Sequence, residues 1–356
     1  MKPHKLSSTD QLLSNTLAQA CEQTLWLADE NVLALLESST EKLPDLITNR
    51  YDIDTHAKTR AKQAWFSDWD LAPCFDTQAY QKIIFRISKE KLVNHYLLNQ
   101  LAHHLKPGAT ITLIGQKNEG IKGLADQAAA CFGNKKINKS GNDYTVTVQV
   151  NENAKANVDC QNYPDLRPTL VWRDRDLMSK PGTFGWQKID DGSAFLLDQL
   201  EKLAAQLPVP SRLLDLGCGY GYLSVGAKLI TEHYWPNTQW LATDNCAAAL
   251  TAFNANGGSW AEVFAGDRGL DASGEPLRAP VDLILCNPPF HQGFSPTGDI
   301  TEKFLKAMQR WLTPKGQALI VVNQFVGVEK RAQGLFKSCQ LIADNGSFKV
   351  MLLARY

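Results

Sequence analysis

Apolar and polar positions alternate between two rhythms along this chain. Short apolar runs bounded by turn residues are followed by stretches in which apolar residues recur at helical spacing, a strand-then-helix pattern. In the first half, Thr24 to Asp29 reads as a strand, and Glu30 to Glu37 as a helix with Val32, Leu33, Leu35 and Leu36 at helical spacing. Leu46 to Thr48 reads as a strand, Thr55 to Trp65 as a helix, and Lys82 to Ile87 as a strand. Leu92 to Leu105 follows as an amphipathic helix and Thr110 to Gly115 as a further strand. Lys135, Lys136 and Lys139 fall in a loop before a strand at Tyr144, either a solvated surface or a phosphate contact. This alternation predicts an α/β domain with a parallel sheet covered by helices.

Asn151 to Pro181 is polar and turn-rich, with Pro164, Pro168 and Pro181, and places a domain boundary that divides the chain into 1–163 and 164–356. Beyond it, Phe195, Leu196, Leu197, Leu200 and Leu203 mark a helix whose N-cap is Asp190, Asp191 or Ser193. Laid over each other, the two halves show a repeat. Pro107 to Gln116 faces Lys315 to Gln324 at a constant offset, and Lys82 to Ile87 takes the place of Asp282 to Cys286. Gly123-Leu124-Ala125 faces Gly334-Leu335-Phe336, and Tyr144-Thr145-Val146 faces Phe348-Lys349-Val350. Several units in one order indicate a duplicated fold.

At 356 residues, with 44% hydrophobic and 21% charged positions, two globular domains each have enough apolar residues for a core. Lys plus Arg and Asp plus Glu both total 37, which excludes a histone-like polycation and leaves nucleic-acid contact to a local patch. The eight cysteines are scattered without a C-x-x-C pair, so neither a zinc site nor a disulfide framework is expected. No apolar run reaches membrane-spanning length and the polar start, Met1-Lys2-Pro3-His4-Lys5, lacks a signal-peptide core. The expectation is a soluble cytoplasmic protein with no metal and no membrane partner.

The chemistry-bearing strings lie in the second half. An apolar strand ends in Asp215 and passes into Gly217, Gly219 and Gly221 before a helix from Leu223 to Ile230. Glycines there let a ligand touch backbone. The string is neither the dinucleotide fingerprint nor a P-loop, and a carboxylate at its mouth suits a ligand bearing an ammonium and a sulfonium. The strand Gln239 to Thr243 ends in Asp244, where an acid meets a ribose diol. Glu262 to Ala265 leads to Asp267, placed to accept from an adenine amino group; either acid also reads as a helix cap. The fourth strand, Val281 to Cys286, stops at Asn287-Pro288-Pro289-Phe290. Two prolines end the sheet there, leaving an amide, backbone carbonyls and a ring for a planar ligand with an amino group. Taken alone, the same string also reads as a strand terminator followed by a core aromatic. In an open α/β sheet, ligands sit beyond the carboxyl ends of strands, where all four strings meet. The first half offers Ser88-Lys89-Glu90-Lys91 instead, with no ring.

Asp215 to Gly221 together with Asn287 to Phe290 resemble the class I S-adenosylmethionine-dependent methyltransferases that act on amino nitrogens. More narrowly, the chain resembles the bacterial ribosomal RNA small subunit methyltransferase C family, through Pro181-Gly182-x-Phe184, Asp190-x-Gly192-Ser193, Asn287 to His291 and Phe348-Lys349-Val350. The resemblance implies two tandem Rossmann-like methyltransferase domains, each a mostly parallel sheet with an antiparallel C-terminal strand, the N-terminal one degenerate. It implies Asp215, Gly217, Gly219, Gly221, Asp244 and Asp267 at the cofactor, with S-adenosylhomocysteine as product. Asn287, Pro288, Pro289 and Phe290 would act at a guanine N2 of 16S ribosomal RNA, with Phe184, Phe290 and His291 as substrate contacts. The implied partner is ribosomal RNA in an assembled or assembling subunit, met by a monomer. Gly185 to Ile189 departs from the arginine-bearing pattern of the family, and the sister large-subunit enzymes share Phe290-His291-Gln292. A 23S guanine-N2 enzyme, a protein-glutamine methyltransferase and a non-enzymatic nucleotide-binding protein are the alternatives.

Overall fold

The computed structural model describes residues 6–355 except 272, 290, 293, 294 and 297, and describes no side chain between 290 and 299. The chain divides into two compact units, Met1–Pro164 and Asp165–Tyr356.

In the first unit seven strands form one sheet: β1 (Thr24–Leu27), β2 (Asp45–Thr48), β3 (Ala64–Phe66), β4 (Lys82–Arg86), β5 (Thr110–Gln116), β6 (Lys135–Ser140) and β7 (Asp143–Gln149). Their order is β3-β2-β1-β4-β5-β7-β6, all running one way except β7, which is antiparallel to both β5 and β6. Two expectations need correction. The helix placed at Thr55 to Trp65 spans Tyr51–Ala57, and the apolar Ala64–Phe66 instead pairs in parallel with β2. The loop placed at Lys135 to Lys139 is the edge strand β6. Its mostly exposed, lysine-rich run reads as loop by composition, yet lysines on an edge are how a sheet avoids pairing with other chains.

The second unit opens with a hairpin, β8 (Arg167–Trp172) and β9 (Arg175–Ser179), which polar composition hid. Its main sheet contains β10 (Arg212–Leu216), β11 (Gln239–Asp244), β12 (Ala261–Ala265) and β13 (Val281–Cys286). After the short backbone pair β14 (His291–Gln292) and β15 (Ser295–Pro296) come β16 (Leu312–Asn323), β17 (Ser338–Asp344) and β18 (Phe348–Ala354). The order β12-β11-β10-β13-β16-β18-β17 repeats that of the first unit strand for strand. The register repeats as well: Gly115 pairs with Tyr144 in one unit and Asn323 with Phe348 in the other, as the repeat in the sequence requires. The match fails at Gly123 to Ala125, which lies in the Ile121–Phe132 helix, whereas Gly334 and Leu335 form a turn.

Strands buried on both faces explain the continuous apolar runs. Leu213, Leu283, Leu285, Leu319 and Val321 pack against the Asp191–Leu203 and Tyr222–Thr231 helices on one face. Leu214, Ile284, Cys286, Ile320 and Val322 pack with Met308 and Trp311 on the other. The helices thereby fix the carboxyl ends of β10, β11 and β13 along one rim.

Candidate active site

After β10 the backbone takes left-handed values at Gly217 (φ 86°), Gly219 (φ 55°) and Gly221 (φ 94°). The amides of Gly217 and Cys218 donate to the Thr243 carbonyl at 3.0 and 3.1 Å, and the Gly219 amide donates to Asp244 Oδ2 at 2.9 Å. The loop is thus tied to the end of β11. Two of its glycines do different work. A Cβ on Gly221 would lie 2.9 Å from the Phe253 ring, whereas one on Gly219 would meet nothing within 4 Å. Gly221 serves packing; Gly219 faces open space into which a ligand fits.

Asp215 lies beneath this loop rather than at its mouth, only 1% exposed. Its Oδ2 accepts from Ser224 Oγ at 2.6 Å, while Oδ1 is buried with no hydrogen-bond partner among the described residues. Burial, reinforced by the Asp244 charge and opposed by the Ser224 bond, pushes the carboxyl up to about 7. A buried, half-satisfied acid next to an open glycine cradle suits a cationic ligand, so the residues present fit S-adenosylmethionine. Burial raises the Cys218 thiol well above its ordinary range, with Asp244 and Asp215 adding to the effect, which disfavours the thiolate inside the loop.

Asp244 also accepts from the Cys246 amide at 2.8 Å through Oδ1, so it braces the loop as well as ending β11. Asp267, beyond β12, pairs with Arg268 at 2.6 Å. Cys246 Sγ meets the Gly182 carbonyl at 3.7 Å, which brings the Pro181 to Asp190 segment to the same rim. On that segment Phe184 is 78% exposed and does not pack into the core, whereas Trp186 lies under Arg167.

Asn287 follows β13 directly. Its Nδ2 donates to Asp190 Oδ2 at 2.6 Å and to Ser193 Oγ at 2.8 Å, and nothing hydrogen-bonds to its Oδ1 among the described residues. Asp190 is the N-cap of the Asp191–Leu203 helix, accepting from the Ser193 amide at 2.7 Å. Of the expected substrate residues, Pro288 is buried and Pro289 exposed. Phe290 and the side chain of His291 lie outside the described residues. The sequence marked Asp190 and Ser193 as caps and as part of the family string but not as partners of Asn287, and missed Ser224. Their roles depend on which side chains the fold brings together.

The sheet order, carried twice, and the glycine loop after the first strand of the second sheet define a class I methyltransferase fold. Residues 174–352 match the family described as "Methyltransferase small domain" and residues 10–157 its N-terminal counterpart, "Methyltransferase small domain N-terminal". The "Ribosomal RNA small subunit methyltransferase C" of Stutzerimonas stutzeri is 31% identical over 78% of this chain and 80% of its own length. The protein of that name from Alcanivorax borkumensis is 26% identical over 95% of this chain and 98% of its own. A solved T. thermophilus 16S rRNA N2 methyltransferase in complex with AdoMet and guanosine shares the fold. It has a TM-score of 0.75 at 19% identity, over 100% of this chain and 93% of that one. The chain belongs to the ribosomal RNA small subunit methyltransferase C family.

Proposed function

We propose that this protein transfers a methyl group from S-adenosylmethionine to the exocyclic N2 of a guanine in 16S ribosomal RNA, with the second unit carrying the chemistry. The reading fits the names of its relatives, and the observation that carries it is the anchored amide of Asn287. Asp190 Oδ2 accepts from the Asn287 Nδ2 and so holds that side of the amide, leaving Oδ1 as an acceptor for an amino group. S-adenosylmethionine, when bound, supplies an electrophilic methyl on a sulfonium and leaves as S-adenosylhomocysteine. A guanine amino nitrogen is a poor nucleophile because its lone pair is delocalised into the ring. Hydrogen bonds from its N–H groups to Asn287 Oδ1 and the Pro288 carbonyl favour a pyramidal nitrogen with its lone pair turned outward. The proton leaves to water after transfer, so the residues contribute mainly position. Phe290 holds the extruded base by stacking, with Phe184 and His291 as further contacts. Gly217 and Gly219 cradle the cofactor, Gly221 packs on Phe253 to hold the loop that does so, and Asp215, Asp244 and Asp267 lie about it.

The first unit is a degenerate copy that docks substrate or supports folding. Where the second unit has a glycine loop, the first runs into a short 3-10 helix, Glu30–Val32, capped by the buried Asp29. Where the second presents Asn287 after β13, the first has Ser88-Lys89-Glu90-Lys91, and the last residue of β4, Arg86, is buried against Glu119 at 2.6 Å. The protein works as a monomer in the cytoplasm on an assembled or assembling small subunit. No helix among the described residues is long and apolar enough to cross a membrane. Labelled-methyl transfer to naked 16S rRNA and to 30S particles from a strain lacking the protein, followed by base mapping, tests the reading. Label on an N2-methylguanine in 16S rRNA supports it. Label only on 23S rRNA or on protein overturns it.

A further inference from the structure

Among the described residues, the two most exposed large hydrophobic side chains are Phe325, at 87%, and Phe184, at 78%. A single exposed apolar residue calls for no explanation. These two, however, sit on the two segments that flank Asn287. Phe184 lies on the segment ending in Asp190, which holds the Asn287 amide. Phe325 lies in the turn after β16, the strand paired in parallel with β13 on the side away from the glycine loop.

The register locates that turn. Cys286 is level with Ile320, so Asn323 is three residues further along β16, on the order of 10 Å beyond the end of β13. The turn is also firmly built. The Phe325 amide donates to Asn323 Oδ1 at 3.1 Å, the Val326 amide to the Asn323 carbonyl at 2.9 Å, and the Gln324 amide to the Ser347 carbonyl at 2.9 Å. Val328 is fully buried and Val326 packs on the core beneath. The turn adjoins the anchored amide through one side chain. Phe348, paired with Asn323, has its ring where a Cβ on Gly192 would come within 3.1 Å, next to Asp190. The backbone is therefore held in place while the ring of Phe325 stands in water above the rim.

We propose that Phe325 is a stacking platform for an unpaired RNA base next to the target guanine. Extruding one nucleotide unstacks its neighbours, and an exposed ring on a rigid turn offers a neighbour a replacement face at little ordering cost. The inference rests on the proposed RNA substrate and adds a contact that neither the Asn287 motif nor the glycine loop supplies.

The test uses the full chain and two short single-stranded RNAs: one with a lone guanine among adenines, the other with abasic sites on both sides of that guanine. Fluorescence anisotropy reads binding without turnover. Phe325→Ala weakens binding of the intact RNA roughly tenfold, Phe325→Trp restores it, and both variants bind the abasic RNA as the natural protein does. Equal affinity of Phe325→Ala and the natural protein for the intact RNA overturns the proposal. So does an equal loss on both RNAs, because the ring would then be touching something other than a neighbouring base. A circular-dichroism melt confirms that the alanine variant is folded. Methyl transfer by the natural protein is assayed separately. Its absence from 16S rRNA counts against the proposed activity, while the RNA pair still decides the stacking.

Discussion

Asp190 ties two events to one carboxylate: Oδ2 caps the Asp191–Leu203 helix through the Ser193 amide at 2.7 Å and receives the Asn287 amide at 2.6 Å. The cap is a local device any helix needs. Here it also decides which end of an asparagine faces away from the helix. On the proposed reading, rigid helix and strand ends thereby hold the acceptor before substrate arrives, which is what catalysis by positioning requires.

Replacing Asp190 with Asn keeps a good cap but offers Asn287 an amide that both donates and accepts, so the orientation is lost. Asp190→Asn is expected to lower kcat on the order of 100-fold, with unchanged cofactor affinity and melting temperature. Asp190→Ala adds a stability loss of about 1 kcal/mol from the missing cap. Asn287→Ala abolishes transfer and leaves cofactor binding intact. Steady-state kinetics, calorimetric cofactor titration and denaturant and thermal melts check all three; near-normal kcat in Asp190→Asn would show that the amide needs no anchor.

The glycine loop separates folding from binding. Gly221→Ala places a methyl 2.9 Å from Phe253 at φ 94° and is expected to cost several kcal/mol of stability. Gly219→Ala meets only open space and a modest left-handed strain of about 1 kcal/mol, so it folds but fills the cradle. Its cofactor affinity should fall at least about tenfold. Thermal melts and calorimetry together test this pair, and a Gly219→Ala protein that binds the cofactor normally would move the ligand elsewhere.

Asp215 gives a pH signature. Its carboxyl is raised to about 7 when folded, above the ordinary value near 4 when unfolded. A group of that kind contributes stability that is complete below the unfolded value and is lost as pH rises through the folded one. Relative to Asp215→Asn, the natural protein should therefore lose roughly 2–3 kcal/mol between pH 5 and pH 8. Saturating S-adenosylmethionine, whose positive charge favours the ionised acid, should shrink that loss. Denaturant melts of both proteins at each pH measure it, and parallel curves would mean that Asp215 does not titrate in this range.

Much of this architecture is written in local patterns. Parallel strands buried on both faces announce themselves as apolar runs, and the repeat even carries the β5–β7 and β16–β18 registers. The failures share a cause. Lys135 to Ser140 mostly face water and the Arg167–Ser179 hairpin is rich in polar residues, so composition disguises both as loops. At the site, Asp215 reads as an acid at a mouth because sequence gives order along the chain but not depth; packing beneath the loop buries it. Asp190 reads as a cap because its second partner is far away in sequence. Phe325 gives no sequence signal because nothing in Asn323-Gln324-Phe325 says which way the ring points.

The two units also make a separable prediction. The first fills its rim with the buried Arg86–Glu119 pair and carries no glycine loop, and on the proposed reading it contributes docking or support. Expressing residues 165–356 alone distinguishes these. A soluble fragment that binds S-adenosylmethionine with the affinity of the full chain, yet transfers methyl to 16S rRNA at least about tenfold less efficiently, assigns docking to the first unit. An insoluble or molten fragment, rescued by co-expression of residues 1–164, assigns folding support, because much apolar surface would then depend on the first unit for cover. Full activity of the isolated fragment on 30S particles would exclude both roles. Cofactor titration, near-ultraviolet circular dichroism and labelled-methyl transfer on the same preparation decide among them.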